Sequence, residues 1–313
     1  MPHPENSPVT TRTPLSPAPP AAGASAAGAP GTGGRGPSPG KLALDKLYKD
    51  KRAVGSLGVL TLLIVAVFIG PLFLPDFQFQ VLEEQLASPS LAHPMGTDHL
   101  GRDLLARVLI GGRLSLAIGL MGTLVSVLIG TLYGCISGFF HEKLDLAMMR
   151  VVDILYSLPY MFLVIILIFQ FGKNIYVLFL ALGLVQWLTV ARIVRGQVLA
   201  LKKEEFILAA RTLGVGGLTI ILRHILPNVM GIVIVYATLT VPSVILQEAF
   251  LSFLGLNVSP CTWGILIAEG RDYMDTAWWL ILFPGLTLTL CLLCMNFLGD
   301  SLRDALDPTA KSN

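Results

Sequence analysis

The chain has 313 residues, 54% of them hydrophobic and only 13% charged, with a net charge of +2 and a mean hydropathy of +0.72. Soluble domains carry about 25% charged residues, so this composition excludes a water-solvated globule and places most of the chain in lipid or against other helices. The small net charge says little, because where the charges lie matters more than their sum, and nucleic acid is not an expected partner.

Residues 1–40 hold ten of the twenty prolines, seven glycines and seven alanines. Such a stretch cannot bury enough surface to offset its ordering entropy, and it reads as a disordered cytoplasmic tail. It has no apolar core segment of the kind a signal peptide needs. The first charge-free window follows at 54–74.

The loop after it contains Gly96-Thr-Asp-His-Leu-Gly-Arg-Asp103. Thr97 or Asp98 is expected to cap a helix there. Its apolar face would be Leu100, Leu104, Leu105, Val108 and Leu109, with Arg102, Asp103 and Arg107 opposite. That pattern predicts a helix lying at the outer membrane surface, either as an elbow that steers the next span into the membrane or as a contact for an external partner. His93 and His99 flank Asp98 in a loop punctuated by Pro and Gly, which argues against a metal site.

Further charge-free windows run over 114–140, 154–172, 175–191, 229–247 and 276–299. A bilayer core of about 30 Å needs roughly 20 apolar residues in a helix. Backbone groups in lipid must be paired internally, and these runs are too continuous for barrel strands. Six membrane helices are therefore expected. One more window, 249–268, contains Gly255, Asn257, Ser259, Pro260 and Gly264. It reads as the outer end of the fifth span followed by an external loop at 257–275. Arg150 and Asp153 are spaced for an i,i+3 ion pair at the inner end of the third span.

Basic residues orient the bundle. With the N-terminus inside, fifteen flanking Lys and Arg lie on the cytoplasmic side and five outside, so both termini are expected in the cytoplasm. Four cysteines do not make a disulfide framework in so long a chain. Cys291 and Cys294 sit in an apolar run and read as small lipid- or bundle-facing residues. The sequence contains no G-x-x-x-x-G-K-[ST] phosphate loop, no H-E-x-x-H and no G-x-S-x-G, so no catalytic role, cofactor or metal is expected.

The most informative polar segment is 192–228, a long charged loop between apolar windows. Lys202 to Leu213 reads as a helix, with Ala209 and Ala210 at a smooth tip that lets a partner surface approach closely. Gly214, with Gly216 and Gly217 behind it, supplies the left-handed turn that ends a helix. Leu218 to Ile225 resumes a helical pattern, and Pro227 starts the return into the fifth span. Helix–turn–helix in the cytosol suggests a docking site for a soluble partner. Glu248 is the ionisable residue nearest a span interior. It reads equally as a pathway-facing carboxylate or as a structural acceptor near the outer end of the fifth span.

The loop motif Ala209-Ala210-x-x-x-Gly214, with Leu226-Pro227, resembles the coupling loop of ABC importer permeases. Gly96-Thr-Asp-His-Leu-Gly-Arg-Asp103, Arg150-Val-Val-Asp-Ile154, Leu251-Ser-Phe-Leu-Gly-Leu256, Ala277-Trp-Trp, Phe283-Pro-Gly285 and Asn296-Phe-Leu-Gly-Asp-Ser-Leu-Arg-Asp-Ala-Leu-Asp-Pro308 narrow it. Together they are similar to the C-type permease subunit of dipeptide and oligopeptide importers, over about residues 41–308. The resemblance implies an all-α membrane protein with the six-helix type I importer fold. It would comprise a first helix and external segment over 41–113, a five-helix core over 114–308 and a short tail at 309–313. It also implies a homologous permease partner, two cytoplasmic ATPase subunits and an external peptide-binding protein. Coupling to the ATPases would fall to Glu205, Ala209, Ala210, Arg211, Gly214 and Pro227. The family usually has Glu directly before the two alanines, where this chain has Leu208. The rival class is a self-contained secondary transporter or channel subunit, which would show inverted repeats and several intramembrane ionisable residues.

Overall fold

The computed structural model describes residues 45–256 and 261–306. The segments read as tails, 1–40 and 309–313, lie outside the described residues, as do Asn257, Ser259 and Pro260. A helical turn at 45–49 (α1) leads into α2, Lys51–Ile69. Asp50 caps α2 by accepting the Arg52 amide at 2.9 Å, and its other oxygen accepts from Ser301 Oγ at 2.6 Å. The remaining long helices are α3 (Leu104–Phe139), α6 (Ile175–Leu201), α9 (Leu226–Phe253) and α11 (Trp279–Leu306). Among the described residues, five helical stretches are long and apolar enough to cross a membrane. The sixth expected span is different.

That span, predicted over 154–172, is not one helix. It is divided between α4 (Glu142–Ser157) and α5 (Tyr160–Phe171), which meet at an 88° bend. Pro159 has no amide hydrogen and restricts Leu158 before it, so the ladder cannot continue through this point. At 12 residues α5 is about 18 Å long, too short to cross alone. The charge-free window was real, but charge does not report a proline break.

Other boundaries move because helices run past the charges that bounded the windows, α3 among them. α6 continues ten residues beyond Ala191, carrying Arg192 and Arg195. α11 continues past Asp300 to Leu306. The two arginines of α6 are absorbed by pairing across helices. Arg195 grips Asp145 of α4 through Nε and Nη2 at 2.5 and 2.6 Å. Asp153 pairs with Arg192 at 2.8 Å rather than with Arg150, so the expected i,i+3 pair gives way to one between helices.

α3 and α6 pack along a close seam. Gly130, Gly134 and Gly138 stand four residues apart on α3, so they share one face. A Cβ on Gly130 would lie 2.6 Å from Val190 Cβ, one on Gly134 2.6 Å from the Ala191 carbonyl, and one on Gly138 2.9 Å from Val198 Cβ. Gly183 of α6 approaches Val125 of α3 in the same way. In lipid, apolar burial does not drive helices together, and small residues that allow close backbone contact take its place.

The external loop does not form the expected surface helix. α3 starts only at Leu104, where Asp103 caps it by accepting the Ala106 amide at 2.9 Å. The apolar face from Leu104 to Leu109 belongs to the first turns of this 36-residue helix. Arg107 is not on a wet face but 2% exposed. Its Nη1 donates to Asp98 at 2.6 Å and to Glu269 at 2.8 Å. Asp98 also accepts from Arg102 Nε at 2.6 Å and from the amides of Leu100 and Arg102. Burial raises the Asp98 carboxyl, but the Arg102 amide and the Arg107 guanidinium outweigh it and hold it below the usual carboxylate range. Asp98, His99 and Glu269 come close enough to suggest a metal trio. Two guanidiniums already occupy its two carboxylates, so it is organised as an ion-pair network.

The window at 249–268 is not simply the end of a span and a loop. Most of α10, Trp263–Gly270, lies in it, seated among α3, α9 and α11 with Trp263 fully buried. Gly264 lets it approach Ala249 so closely that a Cβ there would lie 2.4 Å from Ala249 Cα. Eight residues span about 12 Å, which cannot cross a bilayer. Cys291 and Cys294 are buried in the bundle and unpaired. Reporters fused at residue 40 and after residue 313 are both expected to read as cytoplasmic. An external C-terminal reporter would mean that 249–268 crosses after all.

Candidate functional site

The polar loop folds as a short helix clamped to the ends of α3 and α6. α6 stops at Leu201, and Lys202 fixes the stop by donating Nζ to the Phe140 carbonyl at 3.0 Å. α7 then runs from Glu205 to Thr212, three residues shorter at its start than the sequence suggested. Glu205 in the first turn and Arg211 in the last both complement the helix dipole. The end is a Schellman turn. Val215 donates to the Ala210 carbonyl at 3.1 Å and Gly214 to Arg211 at 2.9 Å, while Gly214 takes φ +76°. A Cβ on Gly214 would meet nothing within 4 Å, so backbone geometry alone demands glycine there.

α7 has two faces. Ile207 and Ala210 point inward, 0% and 7% exposed, into a cluster with Phe139, Val194, Val198, Ile220 and Ile225. Arg211 lies 4.6 Å above the Phe139 ring. Glu205, Phe206, Leu208, Ala209, Thr212 and Leu213 face outward. The expectation that both alanines form an exposed tip therefore holds for Ala209 only. Ala210 is the residue on which the helix sits, because an i,i+3 pair with Ile207 needs a small side chain against Phe139. Leu208 and Phe206 stand out beside Ala209 and make the exposed face apolar.

Pro227 does not begin a new helix. α8 (Gly217–Ile220) passes through a π turn at Ile221–Ile225 into α9 as one continuous stretch, Gly217–Phe253. The wider turn absorbs the missing Pro227 amide, and Asn228 Nδ2 donates to the His224 carbonyl at 2.6 Å. The second arm of the expected helix–turn–helix is thus the fifth span itself, extended into the cytosol.

Glu248 lies between α9 and α10, 2% exposed. Its Oε1 accepts from Ser252 Oγ at 2.7 Å and from Thr262 Oγ1 at 2.8 Å. Thr262 in turn caps α10 by accepting the Ile265 amide. Glu248 therefore orients the cap of the buried helix. No cation is among its hydrogen-bond partners.

An open polar recess lies elsewhere, at the break between α4 and α5. Two adjoining hollows of about 390 and 450 Å³ share Tyr160, Gln186 and Gln247, drawn from α5, α6 and α9. Ser243 and Thr189 add hydroxyls. The sequence signal was present, as uncharged polar residues inside apolar windows, but residues that far apart gave no sign of convergence.

Two sets of variants check these assignments. Ala210→Glu places an unpaired carboxylate in the buried seat of α7, at about 3–5 kcal/mol. Gly214→Val forces a β-branched residue into the left-handed region, at about 1–2 kcal/mol. Proteolysis of the 202–217 segment in detergent is expected to be fastest for Ala210→Glu, intermediate for Gly214→Val and unchanged for Ala209→Ser. Wild-type resistance in Ala210→Glu would show that α7 is not seated on Phe139. Separately, Glu248→Gln keeps the acceptor and is expected to melt like the wild type. Glu248→Leu strands two hydroxyls and costs about 1–3 kcal/mol of stability. Equal melting of both variants would remove the role assigned to Glu248.

Comparison with known proteins matches this architecture. A family described as the binding-protein-dependent transport system inner membrane component covers residues 126–312. The N-terminal TM domain of oligopeptide transport permease C covers 38–89. The chain is 48% identical over 269 residues to the oligopeptide transport system permease protein OppC of Haemophilus influenzae, spanning 84% of this chain and 86% of that one. It is 42% identical over 267 residues to the dipeptide transport system permease protein DppC of Bacillus subtilis, spanning 84% and 83%. A solved structure of the MetNI methionine ABC transporter in an inward-facing conformation superposes with a TM-score of 0.52 at 17% identity. That superposition covers 65% of this chain and 98% of that one, a likeness of fold. The chain therefore belongs to the binding-protein-dependent transport system inner membrane components, as a multi-pass bacterial inner-membrane permease subunit with the type I ABC importer fold.

Proposed function

We propose that this chain forms one half of the membrane pathway of an ATP-driven peptide importer. It pairs with a homologous permease, receives peptide from an external binding protein, and is driven by two cytoplasmic ATPase subunits that dock on α7. The cargo class is supported by relatives at 48% and 42% identity whose names specify oligopeptide and dipeptide transport. The single observation that carries the coupling role is the outward face of α7, where Leu208 is 49% exposed and Leu213 83%. Apolar side chains held out on a rigidly seated helix, on the side that the basic residues place in the cytoplasm, fit a groove in a soluble partner. The first helix with its external segment over 41–113, and the core over 114–308, are the functional parts of this reading.

Coupling then follows from rigidity. α7 is fixed to α3 and α6, so closure of the ATPases around ATP moves these helices as a body instead of bending a loop. The loaded binding protein biases the same two-state equilibrium from outside. Leu208 in place of the family's usual Glu makes this contact apolar rather than ionic. A proton-coupled carrier is disfavoured, because Glu248 lies between packed helices and does not line the open recess; its Oε1 accepts from two hydroxyls, and its Oε2 is buried without a partner among the described residues.

The test uses the exposed face, since a change at Ala210 would disturb the seat. Ala209→Glu and Leu208→Arg leave the fold untouched but bring a charge into the docked interface. A loss of about 2.8 kcal/mol weakens binding roughly a hundredfold. Stable protein in the membrane, loss of copurified ATPase subunits and loss of ATP-driven peptide uptake are expected. Wild-type uptake by both variants would contradict the docking role of α7.

A further inference from the structure

From the recess at the broken span we infer a transient binding site for the main chain of the translocating peptide, built from Gln186, Gln247 and Tyr160. This rests on the peptide-importer reading and assigns the ligand-bearing residues within it.

Irregular backbone at membrane depth survives only where protein buries it or where it lines a water-filled cavity. The break at Leu158–Pro159 opens into just such a recess. α5 begins there with no side-chain cap on its first amides. Broken helices of this kind are a common way to present free backbone groups to a substrate within a membrane.

The chemistry of the lining is specific. Among the described residues, neither hollow is lined by a charged residue, a histidine or a cysteine, so none of them would hold a bare metal ion or select a charged side chain. Each glutamine offers an amide donor and an amide acceptor, the same pair that a peptide unit presents. Gln247 Oε1 is buried without a hydrogen-bond partner among the described residues. A buried acceptor left empty is costly, and a peptide N–H would satisfy it. Leu246 and Phe250 flank the amides with apolar surface. A site that reads the main chain and ignores the side chains suits a pathway through which peptides of varied sequence must pass, and the size of each hollow lies within the range of small-ligand sites.

The experiment uses the full transporter in vesicles, with binding protein and ATP. Its probes are three labelled tripeptides: trialanine, one with a central lysine and one with a central glutamate. Absence of uptake of all three by the wild type would overturn the peptide-importer reading itself. Given wild-type uptake, the double variant Gln186→Leu with Gln247→Leu is expected to lower transport of all three together, roughly thirtyfold, about 2 kcal/mol at 1.4 kcal/mol per tenfold. Complex assembly and binding-protein-stimulated ATP hydrolysis should persist. Tyr160→Phe removes one hydroxyl without changing volume and is expected to lower all three about fivefold, by the same conversion about 1 kcal/mol. Unchanged uptake in both variants overturns the site. So does a loss confined to one peptide, which would indicate side-chain selection. Loss of the partner permease from the complex would make the recess a subunit contact and overturn it equally.

Discussion

The close approach of α3 and α6 is the constraint on which the rest of the molecule depends. Gly130, Gly134 and Gly138 remove the side chains that would hold the two backbones apart, and Val190, Ala191 and Val198 fill the space. On the cytoplasmic side α6 runs past its apolar window to Leu201, beside the end of α3 at Phe139. Their ends, Phe139 with Phe140 and Val194 with Val198, make the cluster into which Ile207 and Ala210 of α7 insert. A bulkier residue at Gly138 would thus be felt at α7 as well as at the seam. The seat of α7 is an outgrowth of the close packing of these two helices.

Polar groups near lipid are handled in three ways. The outer network pairs Arg102 and Arg107 with Asp98 and Glu269, binding the external loop to α10. Trp279 adds a hydrogen bond from its indole to the Thr97 carbonyl, so α11 is tied to the same loop. On the inner side, Arg195 and Ser137 converge on Asp145 and fix α4 against the α3–α6 seam. The bend at Pro159 is the exception, since its recess holds amides and hydroxyls without counter-charges. Ion pairs lock the outer and inner networks, while the recess at the break keeps uncharged polar groups.

Much of this was legible in the residues. Hydropathy located five long helices, because a bilayer demands length and apolarity that few other folds need. Gly214 was legible because a left-handed turn after a helix is a backbone requirement that glycine meets. Other features depended on partners distant in sequence. Arg107 and Glu269 lie 162 residues apart, so Arg107 read as part of a wet face when it is buried. Asp153 turned to Arg192 across the bundle instead of to its near neighbour. Ala210 read as a tip residue because in eight residues the pattern cannot say which face is inward. The break at Pro159 was visible as a proline but hidden by a window that counts only charge. The glycine spacing on α3 was equally present and carried meaning only once α6 was seen opposite it.

The central claim is that the outer face of α7 meets an ATPase subunit. The four native cysteines are all buried and unpaired, so a single cysteine introduced as Ala209→Cys would be the reactive thiol on the cytoplasmic side. Paired with single cysteines along the groove of the partner ATPase, it is expected to form a disulfide-linked heterodimer in the assembled transporter, with a yield that changes when ATP is added. Absence of any cross-link from residue 209, with efficient cross-linking from a cysteine placed in another cytoplasmic segment of the chain, would contradict the account.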